Sequence, residues 1–175
     1  MPGSMGHLTS RFFDVLLAKP LDATEVEELK SWLPNSTGEL FFSQPISDQR
    51  HGYHAAATVI GLGQSSADVV AAAALHDIGK RHANLGTAGR VVASLFLKLH
   101  LPLTSRFRVY RDHGLVAAEE LARAGASRLV VEFAMHHHAE RPASIDKQNW
   151  DALQIADRAP NPRSTRLPRI ISGTG

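Results

Sequence analysis

The chain has 175 residues, enough for one domain with a substantial core, and 43% of them are hydrophobic, which excludes a wholly disordered protein. Its formal net charge of +2 is too small for the domain as a whole to favour a polyanion, and the absence of cysteine excludes disulfides and thiolate zinc sites. Alanine supplies much of the hydrophobic fraction and aromatic residues only 6% of the chain, a balance that favours packed helices over sheets.

Each of the first three predicted helices has a capping residue before an apolar pattern and a helix-ending residue after it. They begin at the capping box Thr24-x-x-Glu27, at Ser47 or Asp48, and at the capping box Ser65-x-x-Asp68, and they end at Pro34, near Gly61 and Gly63, and at Gly79. The third of them is rich in alanine and is predicted from Ala67 to about Ile78.

Four more helices are predicted in the second half of the chain. They are the apolar pattern Val91 to Leu99 before Pro102, His113 to Ala124 after a cap at Asp112, Ser127 to about His137, and about Asn149 to Arg158. No segment shows a strand alternation bounded by hairpin turns. We therefore predict an all-α fold, a helical bundle.

The most apolar window of the chain runs from Val91 to Leu103. It contains nine apolar residues in thirteen, more than one buried helix face requires, so we expect it to form a homodimer contact or a lid. It is too short to span a membrane, which takes about 20 residues. The N-terminus lacks the long apolar run of a signal peptide. Together with the lack of cysteine, this predicts a cytoplasmic protein without a membrane partner.

The ten histidines are informative through their placement, because several fall at predicted helix ends, where different segments of a bundle can aim side chains at one point. The sharpest feature is Leu75-His76-Asp77-Ile78-Gly79-Lys80. An imidazole beside a carboxylate suits a divalent ion such as manganese, iron, nickel or magnesium. Asp77 could bridge two ions, and Lys80 could meet a phosphate oxygen. The alternative is an ordinary helix C-terminus with favourable basic residues and a glycine cap.

The string AAAALHDIGK resembles the signature of the HD-domain phosphohydrolase superfamily, whose pattern is an early histidine, a His-Asp pair and a late aspartate. The resemblance covers about residues 40–160 and matches His51, His76, Asp77 and Asp157 to that pattern. It implies an HD-domain helical bundle around one or two metal ions, which hydrolyses phosphate esters or anhydrides. These four residues would hold the first ion.

Two further matches resemble the two-metal branch of the superfamily. His113 corresponds to an extra histidine that opens a helix, and the run His136-His137-His138 corresponds to a His-His pair. Either His136-His137 or His137-His138 could be that pair. A second ion would then be held by these histidines, with Asp77 between the two ions. The Gly-Tyr-Pro signature of cyclic-dinucleotide phosphodiesterases is absent, since Ala139-Glu140-Arg141-Pro142 follows instead.

The resemblance implies hydrolysis by a metal-bound hydroxide, with iron, manganese, nickel or zinc as the metal and magnesium as an alternative. Asp77 would also orient the attacking water, and Lys80 would offset phosphate charge. With one ion only, His113 would be a general acid or a phosphate contact. The expected substrate is a small phosphorylated molecule, a nucleotide by preference. The alternatives are a non-catalytic metal-binding regulatory module and a nucleic-acid-binding protein, and the near-neutral charge disfavours the latter.

Further polar residues near these motifs remain open. His54 lies on the same helix face as His51 and is predicted as a ligand, a supporting hydrogen-bond partner or an ordinary polar residue. Arg111 and Arg141 could grip phosphate or lie in solvent. We predict an N-terminal helical segment (1–40) packed on the core, an HD domain (41–160) and a basic C-terminal tail (161–175).

Overall fold

The computed structural model of the protein describes residues 18–159, which form nine α-helices and one 3-10 helix without any strand. The α-helices are α1 (Ala23–Trp32), α2 (Asn35–Phe42), α3 (Ile46–Gly61), α4 (Ala67–Leu75), α5 (Thr87–Lys98), α6 (Ser105–Arg111), α7 (His113–Arg123), α8 (Arg128–His136) and α9 (Lys147–Arg158). The 3-10 helix, Ile78–Ala83, follows α4. The all-α prediction is confirmed. None of the helices within 18–159 combines the length and apolar character needed to cross a bilayer.

Three predicted helix caps in the first half are wrong by one to three residues. The capping box of α1 is formed by Asp22 and Glu25, whose side chains each accept a hydrogen bond from the other's backbone amide, and not by Thr24 and Glu27. Helix α3 begins at Ile46 after Pro45, and not after a cap at Ser47 or Asp48. Helix α4 begins at Ala67 as predicted, but the residue before it is Ser66 and not Ser65, and the Ser66 side chain makes no capping hydrogen bond. In each case the buried apolar face fixes where the helix lies, and the cap follows from it.

Helix α4 is the central element of the bundle. Its residues from Val69 to Leu75 are all buried, and it packs against α3, α8 and α9 as well as against α1 and α2. Four of these seven residues are alanines, which let neighbouring helices approach closely because their side chains are short. The chain then leaves the α-helix at His76, earlier than the predicted end near Ile78, so the His-Asp pair lies at the end of the most buried helix.

Helix α5 lies at the edge of the bundle. From Ala88 to Lys98, only Ala93 is completely buried. The Phe96 ring meets the Phe107 ring of α6 at 5.2 Å between centroids. On the same helix, Arg90 forms a bidentate ion pair with Asp48 of α3, with 2.8 Å between Nη2 and Oδ2. This pair fixes α5 to the helix that carries His51.

The Arg90–Asp48 pair is predicted to contribute strongly to stability. The two side chains are 11% and 9% exposed, so removing one partner leaves the other charge buried. We expect Asp48→Ala to lower the free energy of unfolding by about 3 kcal/mol, measured by urea unfolding. The control is Glu27→Ala, which breaks an exposed pair with Lys30 and should cost less than about 1 kcal/mol. Equal losses in the two variants would contradict this prediction.

Candidate metal centre

The predicted site residues converge at one place in the bundle, although they come from five separate segments. His51 lies in α3, the His76-Asp77 pair follows α4, His113 begins α7, His137 follows α8, and Asp157 lies at the end of α9. All of them except His51 belong to the buried polar residues of the chain, with 8% or less of their surface exposed. Buried polar groups need partners, so this convergence requires a chemical explanation.

Close contacts between backbones bring these segments together. Three glycines next to site residues lie where a side chain would not fit. A β-carbon would come within 2.4 Å of the Ala74 carbonyl oxygen at Gly52, within 2.0 Å of the His113 carbonyl oxygen at Gly79, and within 2.7 Å of the Ala134 carbonyl oxygen at Gly114. Each glycine thus allows a site-bearing segment to touch the next one.

The first cluster consists of His51, His76, Asp77 and Asp157. Nε2 of His76 lies 3.2 Å from Oδ1 of Asp157 and 3.5 Å from Oδ2 of Asp77. Nε2 of His51 lies 3.6 Å from the same Asp157 oxygen and 3.8 Å from the same Asp77 oxygen. Two imidazoles and two carboxylates therefore surround one point, and His51, His76 and Asp77 have ligand atoms within 4.8 Å of one another.

The second cluster consists of Asp77, His113, His137 and His138, whose potential ligand atoms also lie within 4.8 Å of one another. Nε2 of His113 and Nε2 of His137 lie 3.2 and 3.5 Å from Oδ1 of Asp77. His138 is exposed, and its ring lies beside that of His137 at 3.9 Å between centroids. Among the described residues, the histidine pair in the cluster is therefore His137-His138.

Asp77 is common to both clusters, and each of its oxygens faces a different one. Oδ2 faces His51 and His76, whereas Oδ1 faces His113 and His137. A carboxylate in this position can bridge two cations. This is the arrangement that the sequence predicts for Asp77.

Backbone carbonyl groups fix the orientation of three of the imidazoles. Nδ1 of His76 donates to the carbonyl of Ala73 at 2.9 Å, and Nδ1 of His137 donates to the carbonyl of Ala134 at 2.8 Å. Nδ1 of His113 donates in the same way to Tyr110 at 2.7 Å. Because a carbonyl only accepts, Nδ1 carries the hydrogen, so Nε2 is the nitrogen of each ring that faces the site and can offer a lone pair to a cation.

The centre therefore contains many hydrogen-bond acceptor atoms and few hydrogen-bond donors. Nε2 of His113 and Nε2 of His137 face each other at 3.3 Å, and burial lowers the pKa of His137, although Asp77 opposes this effect. Oδ1 of Asp77 and Nε2 of His51 are buried without a hydrogen-bond partner. Facing lone pairs repel one another unless a cation lies between them. This donor set, imidazole nitrogens with carboxylate oxygens, fits a divalent transition metal.

The carboxylates of the centre are ionised. Burial opposes ionisation of Asp77, but the Lys80 ammonium and the neighbouring His76 hold its pKa well below the usual range. Burial likewise opposes ionisation of Asp157, but His51 and His76 hold its pKa low. Lys80 donates to Oδ2 of Asp77, so its charge lies inside the centre and not at the surface.

Other predicted candidates lie outside the two clusters. His136 does not share the ligand contacts of His137, and His54 is absent from both groups, with a pKa lowered to about 4 by burial. Arg111 pairs with Asp112 at the surface. Arg141 donates to the carbonyl of Ile145. The predicted tail, residues 161–175, lies outside the described residues.

Two supporting residues were not predicted. Gln154 of α9 donates to the carbonyl of His137 at 2.6 Å and so links the helix of Asp157 to the histidine pair. The fully buried Phe133 lies under His76 and His137, with 5.9 and 6.0 Å between ring centroids. The apolar spacing of α8 could have indicated a buried Phe133, whereas the contact of Gln154 spans 17 residues and has no local signal.

No known protein family matches the chain, and no curated protein or solved structure is similar enough to it to count as a match. The metal centre is thus supported by the chain's own geometry. That geometry is a buried group of histidines and aspartates that could hold metal, and it is compatible with an HD-type site.

Proposed function

We propose that this chain is a metal-dependent phosphohydrolase with an HD-type centre, which hydrolyses a phosphate ester or anhydride. One observation carries the proposal. Two ligand clusters, joined by the single carboxylate of Asp77, lie side by side at the end of the most buried helix. Paired metal sites that share a carboxylate suit reactions in which both the attacking and the leaving oxygen need charge stabilisation, as in phosphoryl transfer.

The residues divide between two ions. His51, His76, Asp77 and Asp157 would hold the first, and Asp77, His113, His137 and His138 would hold the second. When bound, a divalent ion supplies positive charge that lowers the pKa of water toward about 7 and offsets the charge of phosphoryl oxygens.

Asp77 and Lys80 have separate tasks in this proposal. The ionised Asp77 carboxylate can orient a water through a lone pair that no protein donor uses at Oδ1. The Lys80 side chain is only 15% exposed, so its ammonium group lies beside the same carboxylate and not at the surface. A phosphoryl oxygen near Asp77 would meet that ammonium, which adds electrostatic stabilisation in a water-poor site.

His113 has a defined proton-carrying atom. Its Nδ1 hydrogen is engaged with the Tyr110 carbonyl, so any proton that the ring takes or gives must move at Nε2. That nitrogen lies 3.2 Å from Asp77 Oδ1. If only the first ion binds, His113 can protonate a leaving oxygen from this position as a general acid.

The substrate class is tested with a panel of phosphate esters. Nucleoside mono-, di- and triphosphates, p-nitrophenyl phosphate and bis-p-nitrophenyl phosphate are incubated with the full chain and manganese, iron or magnesium. We expect metal-dependent hydrolysis of at least one of these, with a nucleotide as the preferred substrate, and loss of activity with a chelator.

A matched pair of variants separates the proposed centre from contaminating activity. His76→Ala should lose the hydrolysis, whereas His82→Ala should keep it, because His82 lies at the surface and pairs with Glu120. Stoichiometric metal binding without hydrolysis of any ester would contradict the enzyme and favour a regulatory metal-binding module.

A further inference from the structure

The segment from Ile78 to Arg111 is free of acidic residues. Its 34 positions contain seven of the chain's 19 Lys and Arg, whereas all 17 Asp and Glu lie elsewhere. The segment comprises the 3-10 helix, α5 and α6. One continuous part of a nearly neutral chain thus carries cations and no acidic residue of its own.

Helix α5 turns its apolar stripe away from the bundle. Val91, Val92, Leu95 and Leu99 are 41%, 42%, 49% and 55% exposed, and their spacing places them on one side of the helix. Ala93 faces the bundle and is fully buried. From Ala88 to Leu99 the exposed residues are all apolar apart from Lys98.

Six of the seven cations form two groups, and the seventh, Arg111, pairs with Asp112 at the surface. Inner cations are paired with carboxylates from other elements: Lys80 with Asp77, Arg81 with Glu120, and Arg90 with Asp48. Lys98, Arg106 and Arg108 lie at the surface. Their charges accompany the apolar stripe, because the Phe96–Phe107 ring contact packs α5 against α6.

We propose that α5 and the start of α6 bind the surface of an anionic lipid bilayer. Helix α5 would lie in the plane of the interface, with Val91, Val92, Leu95 and Leu99 among the acyl chains and the surface cations at the headgroups. Such a helix needs no transmembrane length. The sequence-based expectation of no membrane partner rests on that length and does not address this mode of binding. The proposal is independent of the phosphohydrolase activity.

Charge favours an anionic bilayer over a second copy of the chain as the binding partner of the stripe. A twofold dimer through α5 would place the same surface of both copies together. The stripe would then bring two acid-free cationic segments into contact, without a carboxylate from either segment to offset them. An anionic bilayer supplies the missing negative charge and accepts a convex apolar stripe without a complementary groove.

Vesicle flotation of the full chain tests the proposal. We expect binding to vesicles of phosphatidylcholine mixed with phosphatidylglycerol, about tenfold weaker binding to phosphatidylcholine alone, and weaker binding at high salt. Leu95→Glu should reduce the bound fraction about tenfold, because it places a charge in the apolar stripe. The matched control is Leu62→Glu, since Leu62 is 48% exposed but lies at the end of α3. It should bind like the wild type.

A second variant keeps the test decisive if Leu95→Glu alters folding, which circular dichroism detects. Arg106→Gln with Arg108→Gln changes only exposed side chains and should also weaken binding to the anionic vesicles. The proposal is overturned if the wild type does not bind these vesicles or if neither variant weakens binding to them. If the protein does not bind the vesicles and light scattering shows a dimer that Leu95→Glu dissociates, the stripe joins two copies of the chain instead.

Discussion

Asp77→Ala is expected to abolish hydrolysis and to remove metal from both clusters. The reason is that each carboxylate oxygen belongs to a different cluster, so one substitution takes a ligand from each. Asp157→Ala, by contrast, alters only the first cluster directly. Elemental analysis of protein without a histidine tag should therefore show a larger loss of metal for Asp77→Ala than for Asp157→Ala. Phosphate release should fall to the background rate.

Because Asp77 forms an ion pair with Lys80, this prediction needs a second variant that also removes the Lys80 charge. Asp77→Ala leaves the largely buried Lys80 ammonium without its carboxylate, which lowers stability by about 3 kcal/mol or more. The double variant Asp77→Ala/Lys80→Met removes that charge and should recover part of the stability without recovering metal. Asp68→Ala, an exposed carboxylate in the first turn of α4, is the control. Wild-type turnover in Asp77→Ala would place the reaction elsewhere.

The fold could be predicted where caps and glycines enclose a long apolar pattern. Helix α7 begins at His113 as predicted, although the Asp112 side chain pairs with Arg111 and makes no capping hydrogen bond, and Gly125 has the positive φ that suits a helix end. The short helices α2 and α6, of 8 and 7 residues, were missed because neither contains enough turns for a clear periodicity. Pro34 ends α1 as predicted but also stands directly before α2, since proline suits the start of a helix.

The site residues could be predicted from their order along the chain, whereas the finer features of the site depend on packing. His51, His76, Asp77 and Asp157 meet as the sequence indicated. The register of the triple histidine depends on where α8 ends, which aims the ring of His137 inward. The outward stripe of α5 arises from contacts that the sequence does not encode locally, whereas the Lys80–Asp77 pair joins residues only three positions apart. Periodicity predicts a stripe but not the direction in which it faces.

His113→Ala is expected to reduce the bound metal from about two ions per chain to about one. His113 Nε2 contributes to the second cluster only, at 3.2 Å from Asp77 Oδ1 and 3.3 Å from His137 Nε2. The first cluster keeps all four of its side chains in this variant. Turnover should fall by about 10²-fold or more, because the second ion no longer offsets phosphoryl charge. Elemental analysis and steady-state kinetics on the same preparation measure both effects.

The comparison of metal content with turnover separates the two-ion centre from the one-ion centre. In His82→Ala, the control for loss of an imidazole, both quantities should equal those of the wild type because His82 lies outside the clusters. Unchanged metal in His113→Ala with a large loss of turnover would contradict the two-ion centre. His113 would then act through a proton at Nε2, the only ring nitrogen that its hydrogen bond to Tyr110 leaves available. Parallel loss of one ion and of turnover is the result that the shared carboxylate of Asp77 predicts.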